Sequence, residues 1–258
     1  MKLPREKKKK NIYYLSKLSS ELHQQEQTYI NVRQKERRLY DDEIVRNLPD
    51  ISGSHPFYHE WQIRKESMNQ LVKYFSRKKG LNILDVGAGN CWLSNQLSLQ
   101  TENFLFALDI NILELEQGAR VFEKNENLKF IFGNIFENIF EAHWFDALIL
   151  SSSIQYFNDL NELLQRLFLL LTDDGEIHIT DSPFYNEVEI SKAIERSHLY
   201  YNQLGVPEMS DHYNHHNWKE LERFNITLMD KAGTAVKNFL SAARMKKKSP
   251  FPWIKIKY

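Results

Sequence analysis

Residues 83–92 read ILDVGAGNCW. An apolar run meets a carboxylate at Asp85. Gly87, Ala88 and Gly89 then bend the chain before Asn90, Cys91 and the bulky Trp92. A short apolar run closed by glycines marks a strand, here over 82–86, turning into a helix over 90–99. The alternation continues outward. Strand-like runs fall at 104–108, 128–132 and 147–150 and in GEIHIT at 175–180, with helical patterns over 112–124 and 159–171. Strands this apolar, separated by helices, belong to a parallel sheet covered on both faces. Upstream, Trp61, Met68, Leu71, Val72 and Phe75 recur at helical spacing and Gly80 supplies a stop. Downstream the spacing loosens. A helix is expected over 187–203, an N-cap at Asn217 with Glu220 three residues on, a strand over 226–229, a helix over 232–245 and a final strand over 253–256. The expected fold is α/β, with a seven-stranded, mostly parallel sheet and helices on both faces. A basic tail and helical extension occupies 1–55, the main domain 56–258, and a cap insertion 183–223.

At 258 residues the chain can bury a sizeable core. It carries 34 basic and 34 acidic residues, and the distribution is uneven. Residues 1–10 and 244–258 hold twelve of the basic residues and one of the acids, so the body between them is acidic. An acidic body disfavours nucleic acid, which needs a basic contact surface. The run Lys7 to Lys10 reads as a charged end fraying into solvent, and 11–46 as one or two surface helices. The single cysteine, Cys91, excludes an internal disulfide and places the expected compartment in the reducing cytoplasm. No run approaches the ~18 apolar residues of a membrane span, and the residues after Lys10 are too polar for an export signal.

Parallel sheets of this kind bind ligands outside the carboxyl ends of their strands, where Gly87 to Asn90 falls. Glycines there let the backbone approach a ligand closely. A dinucleotide would want a third glycine where Trp92 stands, and Asp85 would repel a pyrophosphate. A ligand bearing an ammonium and a sulfonium would instead welcome that carboxylate, which points to S-adenosyl-L-methionine as cofactor. FALDIN places Asp109 at the end of the second strand, 20 residues after Gly89, where an acid accepts hydrogen bonds from ribose hydroxyls.

LDVGAGN, FALDIN, FGNIF, FDALILSSSIQYF and LLTDDGEIHI, in this order and spacing, resemble the class I S-adenosylmethionine-dependent methyltransferases, over roughly residues 82–180. The resemblance implies a Rossmann-like fold. It also implies that Asp85, Gly87, Ala88, Gly89 and Asn90 surround the methionine end of the cofactor, and that Asp109 holds the ribose with Ile110 beside the adenine. Asn134 and Ile135 would flank the adenine, and Ser151 and Ser152 would lie near the transferred methyl. Two departures stand out: Cys91 replaces a usual third glycine, and Asn134 a common acid. Outside this core, HEWQIRKES, YYNQLGVPEMSDHYNHHNWKELERFN and SPFPWIKI resemble bacterial methyltransferases of mostly unassigned substrate.

Transfer of a methyl group to a hydroxyl is helped by a general base. DHYNHH at 211–216 is the densest source of bases. Three readings stay open for it: a catalytic base at His215 or His216, a metal pair formed by His212 and His216 at i, i+4, or a polar loop that only packs. Tyr156 faces either the sulfonium or the acceptor pocket. Trp61, Arg64 and His212 are candidate substrate contacts, and Arg64 could clamp a carboxylate. The expected activity is methyl transfer to a hydroxyl or amine of a small-molecule or sugar-like acceptor. The rivals are a non-catalytic module with the same fold and a nicotinamide oxidoreductase.

Overall fold

The computed structural model of the chain describes residues 3–4, 7–17, 19–229 and 249–258. The helix expected over 232–245 lies outside them. The strands are β1 (Lys8–Lys9), β2 (Ile12–Tyr14), β3 (Asn82–Val86), β4 (Phe104–Asp109), β5 (Leu128–Phe132), β6 (Phe145–Ser151), β7 (Leu171–Thr180), β8 (Asn225–Leu228) and β9 (Ile254–Lys257). The helices are α1 (Ser20–Lys35), α2 (Asp42–Asn47), α3 (Tyr58–Phe75), α4 (Trp92–Thr101), α5 (Ile112–Val121), α6 (Leu160–Leu170) and α7 (Glu187–Leu204). Among the described residues these strands make one nine-stranded sheet, in the order β1-β2-β5-β4-β3-β6-β7-β9-β8. The core strands β5, β4, β3, β6 and β7 are parallel, and β9 runs antiparallel between β7 and β8.

The seven expected strands become nine because of the amino terminus. Lys8–Lys9 and Ile12–Tyr14 form a hairpin instead of a frayed tail, and Ile12 pairs in parallel with Phe130 at the sheet edge. Ile12 is fully buried, so one apolar residue docks a segment whose charge pattern reads as solvent-bound.

Strand alternation divides the core. Ile83, Leu105 and Phe130 face α3, α4 and α5, while Leu84, Phe106 and Ile131 face α6. In α6, capped at Asp159, Leu160, Leu163, Leu164, Leu167 and Leu170 are all buried at helical spacing. Burial of each such side chain contributes about 1.5–3 kcal/mol. Gly118 in α5 lies so close to the glycine turn that an added Cβ would sit 2.6 Å from the Asn90 carbonyl oxygen. The helix can approach that loop only without a side chain there.

A polar network is buried beside β7. Glu176 takes hydrogen bonds from the Tyr74 hydroxyl and the Lys78 ammonium, both at 2.9 Å. The Trp253 indole donates to His178 Nδ1 at 3.0 Å. An indole can only donate, so Nδ1 carries the lone pair and Nε2 carries the proton, facing Glu176 Oε1 at 3.3 Å. Burial accordingly lowers the His178 pKa despite the adjacent carboxylate. No helix among the described residues is long and apolar enough to cross a membrane.

Candidate active site

The chain leaves β3 toward β4 on one side and returns to β6 on the other, so the strand order reverses between β3 and β6. At the carboxyl ends of these strands lies a cavity of about 530 Å³. Its floor is the glycine turn. Gly87 and Gly89 have φ of +77° and +54°, a region that favours residues without a Cβ. Cys91, in the third-glycine position, also has a positive φ of +63°, and its fully buried thiol is pushed up in pKa by burial. That excludes it as a nucleophile at neutral pH.

Acids dominate the cavity. Asp109 accepts the Gly89 and Asn111 amides at 2.6 and 2.7 Å. Burial raises its pKa to about 7 against those two bonds, with Glu114 adding to the rise. Glu114 stands in the first turn of α5, where the Asn111 cap accepts its amide at 3.1 Å, and it receives the Tyr29 hydroxyl at 3.3 Å. Its pKa is raised by burial, with Arg33 and Tyr29 opposing. From α1, Glu26 accepts the Ile112 amide at 2.7 Å and keeps its second carboxylate oxygen buried without a hydrogen-bond partner. Apolar walls come from Leu108, Ile110, Ile135 and Phe136. Carboxylates raised by burial beside an apolar slot fit an adenosyl group that carries positive charge.

Of the residues expected at the cofactor, Gly87, Gly89, Asp109, Ile110, Asn134, Ile135 and Ser152 line this cavity. Asp85, Ala88, Asn90 and Ser151 do not. Asp85 is 2 % exposed beneath the turn and accepts the Ser94 hydroxyl at 2.6 Å, and burial lifts its pKa to about 6. The expectation that Asp85 grips the ligand directly is therefore corrected: its carboxylate braces the start of α4. Ser151 lies against the buried Asp181 carboxylate instead. Ser152, in a left-handed conformation at φ +57°, turns its hydroxyl toward Arg64, whose Nη2 lies 3.3 Å away. Trp61 is a core residue, 5 % exposed, packed edge-on against Trp92 and donating to the Tyr40 hydroxyl. It is not available to a substrate.

The histidines separate. His216 is 3 % exposed, and both ring nitrogens are engaged, Nδ1 with Glu220 at 3.1 Å and Nε2 with the Ile154 carbonyl at 3.0 Å. No nitrogen is left to take a substrate proton, so His216 ties the loop to the end of β6. His215 contacts the Ser197 hydroxyl at 2.9 Å and lines a separate pocket of about 300 Å³. Burial lowers its pKa, and His216 and Arg196 add to the effect. The i, i+4 metal pair fails too. His212 ends a short 3-10 helix at 207–212 and His216 lies in the loop beyond, so no helix face is shared. Among the described residues no group of three His, Cys, Asp or Glu is placed to hold a metal. His212 lines the large cavity, and it is the imidazole that this cavity has among the described residues.

A second cavity, of about 380 Å³, adjoins the first. The two share Tyr29, Ser152, Tyr156 and Met209. Tyr156, 41 % exposed, stands at the junction with its ring edge-on to Tyr29 and Tyr213. The walls come from α1 and α7, with tyrosines and three arginines, Arg33, Arg38 and Arg196. Sequence reading missed Glu26, Tyr29 and Arg33. They share one face of α1 at i, i+3 and i+7, a visible spacing, but nothing local ties that face to a cavity.

The raised acids predict a pH response with a definite sign. Asp85 and Asp109, at about 6 and 7, bind more protons folded than unfolded. Their stabilising contribution is complete below the unfolded carboxylate range and is lost as pH rises through the folded values. Between pH 8 and about 6.5 these two acids should add on the order of 1 kcal/mol to the ligand-free protein. They are opposed by His178 and His215, whose lowered pKa values act with the reverse sign as unfolded histidine begins to protonate. The gain is therefore read as a rise in Tm of roughly 2–4 °C relative to Asp109→Asn. Calorimetric Tm measurements at constant ionic strength check this, and a Tm that falls over that interval relative to the Asp109→Asn variant contradicts it.

Comparison with known proteins gives the family and the fold. A family model described as a methyltransferase domain matches residues 77–238. The fold superimposes on the YcgJ protein from Bacillus subtilis with a TM-score of 0.57 and 14 % identity, over 75 % of this chain and 98 % of that one. It superimposes on geranyl diphosphate C-methyltransferase from Streptomyces coelicolor, crystallised with Mg2+, geranyl diphosphate and S-adenosyl-L-homocysteine, with a TM-score of 0.53 and 14 % identity, over 80 % and 84 %. For phosphoethanolamine N-methyltransferase 2 from Haemonchus contortus, in complex with S-adenosyl-L-methionine, the values are 0.50 and 16 %, over 87 % and 59 %. At such identities the likeness concerns the fold. No curated protein matches the sequence.

Proposed function

The chain belongs to the methyltransferase-domain family and is an S-adenosylmethionine-dependent enzyme; from that premise we propose that it methylates a hydroxyl or amine of a small molecule held in the smaller cavity. The observation that carries this reading is the junction. A cofactor-sized acidic cavity opens past Tyr156 into a second chamber, so an acceptor there can meet a methyl group presented from the first.

When bound, the cofactor supplies an electrophilic methyl on a sulfonium. Asp109 would accept the ribose hydroxyls, Asn134 the adenine edge, and Glu114 with Glu26 would balance the positive charge. The protein's further work is positional. Tyr29, Tyr156 and the α1–α7 walls exclude water and hold the acceptor in line, which can be worth several kcal/mol. Segment 183–223 acts as the cap, supplying Met209 and His212 to the large cavity and Tyr213 to the small one. A hydroxyl acceptor must shed a proton as its oxygen bonds carbon. His212 takes that role in place of His215 and His216, because it is the imidazole on the wall of the cofactor cavity, three residues beyond Met209, which lines both chambers.

Calorimetric titration with S-adenosylmethionine tests the premise. Saturable binding is expected, followed by transfer of a labelled methyl group to a small acceptor. No binding even at about millimolar ligand removes the enzyme reading in favour of a scaffold with this fold.

A further inference from the structure

The two adjoining cavities have opposite electrostatic character. Glu26, Asp109, Glu114, Glu137, Asp159 and Glu162 line the larger one, with Lys17 as its cation. Arg33, Arg38 and Arg196 line the smaller one, with Glu36 as its acid. Glu36 is largely committed: the Tyr200 hydroxyl donates to it, and Arg38 Nε lies 3.3 Å from it. Arg38 is committed as well, through two hydrogen bonds to Glu60 at 2.8 and 2.6 Å. Arg33 is not. Its ion pair with Glu36 is loose, at 3.7 Å, and its Nε is buried without a hydrogen-bond partner.

A second residue that lines the same chamber also carries a buried orphan atom. Gln155 is 7 % exposed; its amide nitrogen donates to the Ser152 carbonyl at 2.7 Å, while its Oε1 is buried without a partner. Buried polar groups are seldom left unpaired, since each costs free energy comparable to a lost hydrogen bond. Here one orphan is a cationic donor and the other a neutral acceptor, and both belong to one cavity next to the methyl-donor site. Tyrosines between them supply flat apolar walls and hydroxyls.

We propose that the smaller cavity selects an acceptor that carries an oxyanion, phosphate or carboxylate, held by Arg33 with Arg196, together with a hydroxyl or amine, other than the group methylated, that donates to Gln155. This rests on the reading of that cavity as the acceptor chamber. It narrows the substrate class to small, anionic, hydroxylated or aminated molecules and excludes neutral ones. The planar guanidinium suits the oxyanion because it offers paired donors without losing its charge. The acidity of the neighbouring cavity keeps the same anion out of the cofactor site.

The test uses protein saturated with S-adenosylhomocysteine, titrated calorimetrically with ethyl phosphate and 2-hydroxyethyl phosphate, and in a parallel arm with propionate and 3-hydroxypropionate. Saturable binding in at least one arm is expected, with the hydroxylated member tighter, and the arm that binds identifies the anion. Arg33→Gln should weaken that binding about tenfold or more, Arg33→Lys should restore most of it, and Gln155→Leu should erase the preference for the hydroxylated member. S-adenosylhomocysteine affinity should move less than about threefold in every variant, since Arg33 reaches that site only through its charge on Glu114. If Arg33→Gln does not fold by circular dichroism, Arg196→Gln decides in its place, with a loss of about threefold expected. Absence of saturation in both arms at about 30 mM, or unchanged affinity in the deciding variant, overturns the proposal. Failure to bind S-adenosylhomocysteine would instead count against the methyltransferase reading and is recorded before any anion is added.

Discussion

Asp109→Ala weakens binding of S-adenosylmethionine by roughly a hundredfold to a thousandfold. The carboxylate ends β4 at the crevice and is positioned by the Gly89 and Asn111 amides. Removing it deletes the acceptor for the ribose hydroxyls and leaves those two amides without their partner, in a site where burial already makes polar groups costly to orphan. Hydrogen bonds to charged groups contribute about 1.5–3 kcal/mol each, so two at the lower end, about 3 kcal/mol, already fall within that range of affinity. The pH dependence is a second signature. With a pKa near 7, Asp109 is increasingly protonated as pH falls below neutrality. A protonated carboxyl has lost acceptor capacity, so the dissociation constant should rise as pH falls from about 7, by up to tenfold per unit. In Asp109→Asn this dependence should vanish along with most of the affinity. A variant that binds within about threefold of wild type, or that retains the pH slope, would show that the ribose is held elsewhere.

His212→Gln lowers kcat by about a hundredfold, the lower end of what a positioned acid–base group contributes, while the cofactor dissociation constant moves less than about threefold. Glutamine preserves size and hydrogen bonding but cannot accept a proton near neutrality. His212 reaches the cavity from the 3-10 turn at 207–212, which also carries Met209 into both chambers. An unaltered kcat would remove the histidine from the mechanism and leave positioning by Tyr156 and the cavity walls as the protein's contribution.

The histidine-rich stretch shows how far residue types alone can lead. DHYNHH holds three histidines within five positions, and nothing local distinguishes them. Folding does so through contacts distant in sequence. His216 is pinned between Glu220 and the Ile154 carbonyl, His215 meets Ser197 on α7, and His212 turns to the cofactor side. Asp85 and Asp109 make the same point. Both end apolar strands beside the glycine turn, yet Asp109 opens onto the cavity while Ser94, nine residues on from Asp85, draws that carboxylate under α4.

What the sequence determined by itself was the alternation of strands and helices from 82 to 180, the strand–turn–helix at Gly87 and Gly89, and the ribose acid one strand later. These depend on interactions within a few residues: period-two and period-3.6 burial, caps, and the backbone freedom of glycine. Tertiary structure alone decided that Ile12 draws a lysine-rich end into the sheet and that Glu26, Tyr29 and Arg33 wall two cavities. It also left an arginine and a glutamine sharing one chamber with unmet hydrogen-bonding capacity. The reason is physical. A side chain's burial and polar partners depend on surfaces far away in the chain, whereas its helical or strand periodicity depends on its neighbours.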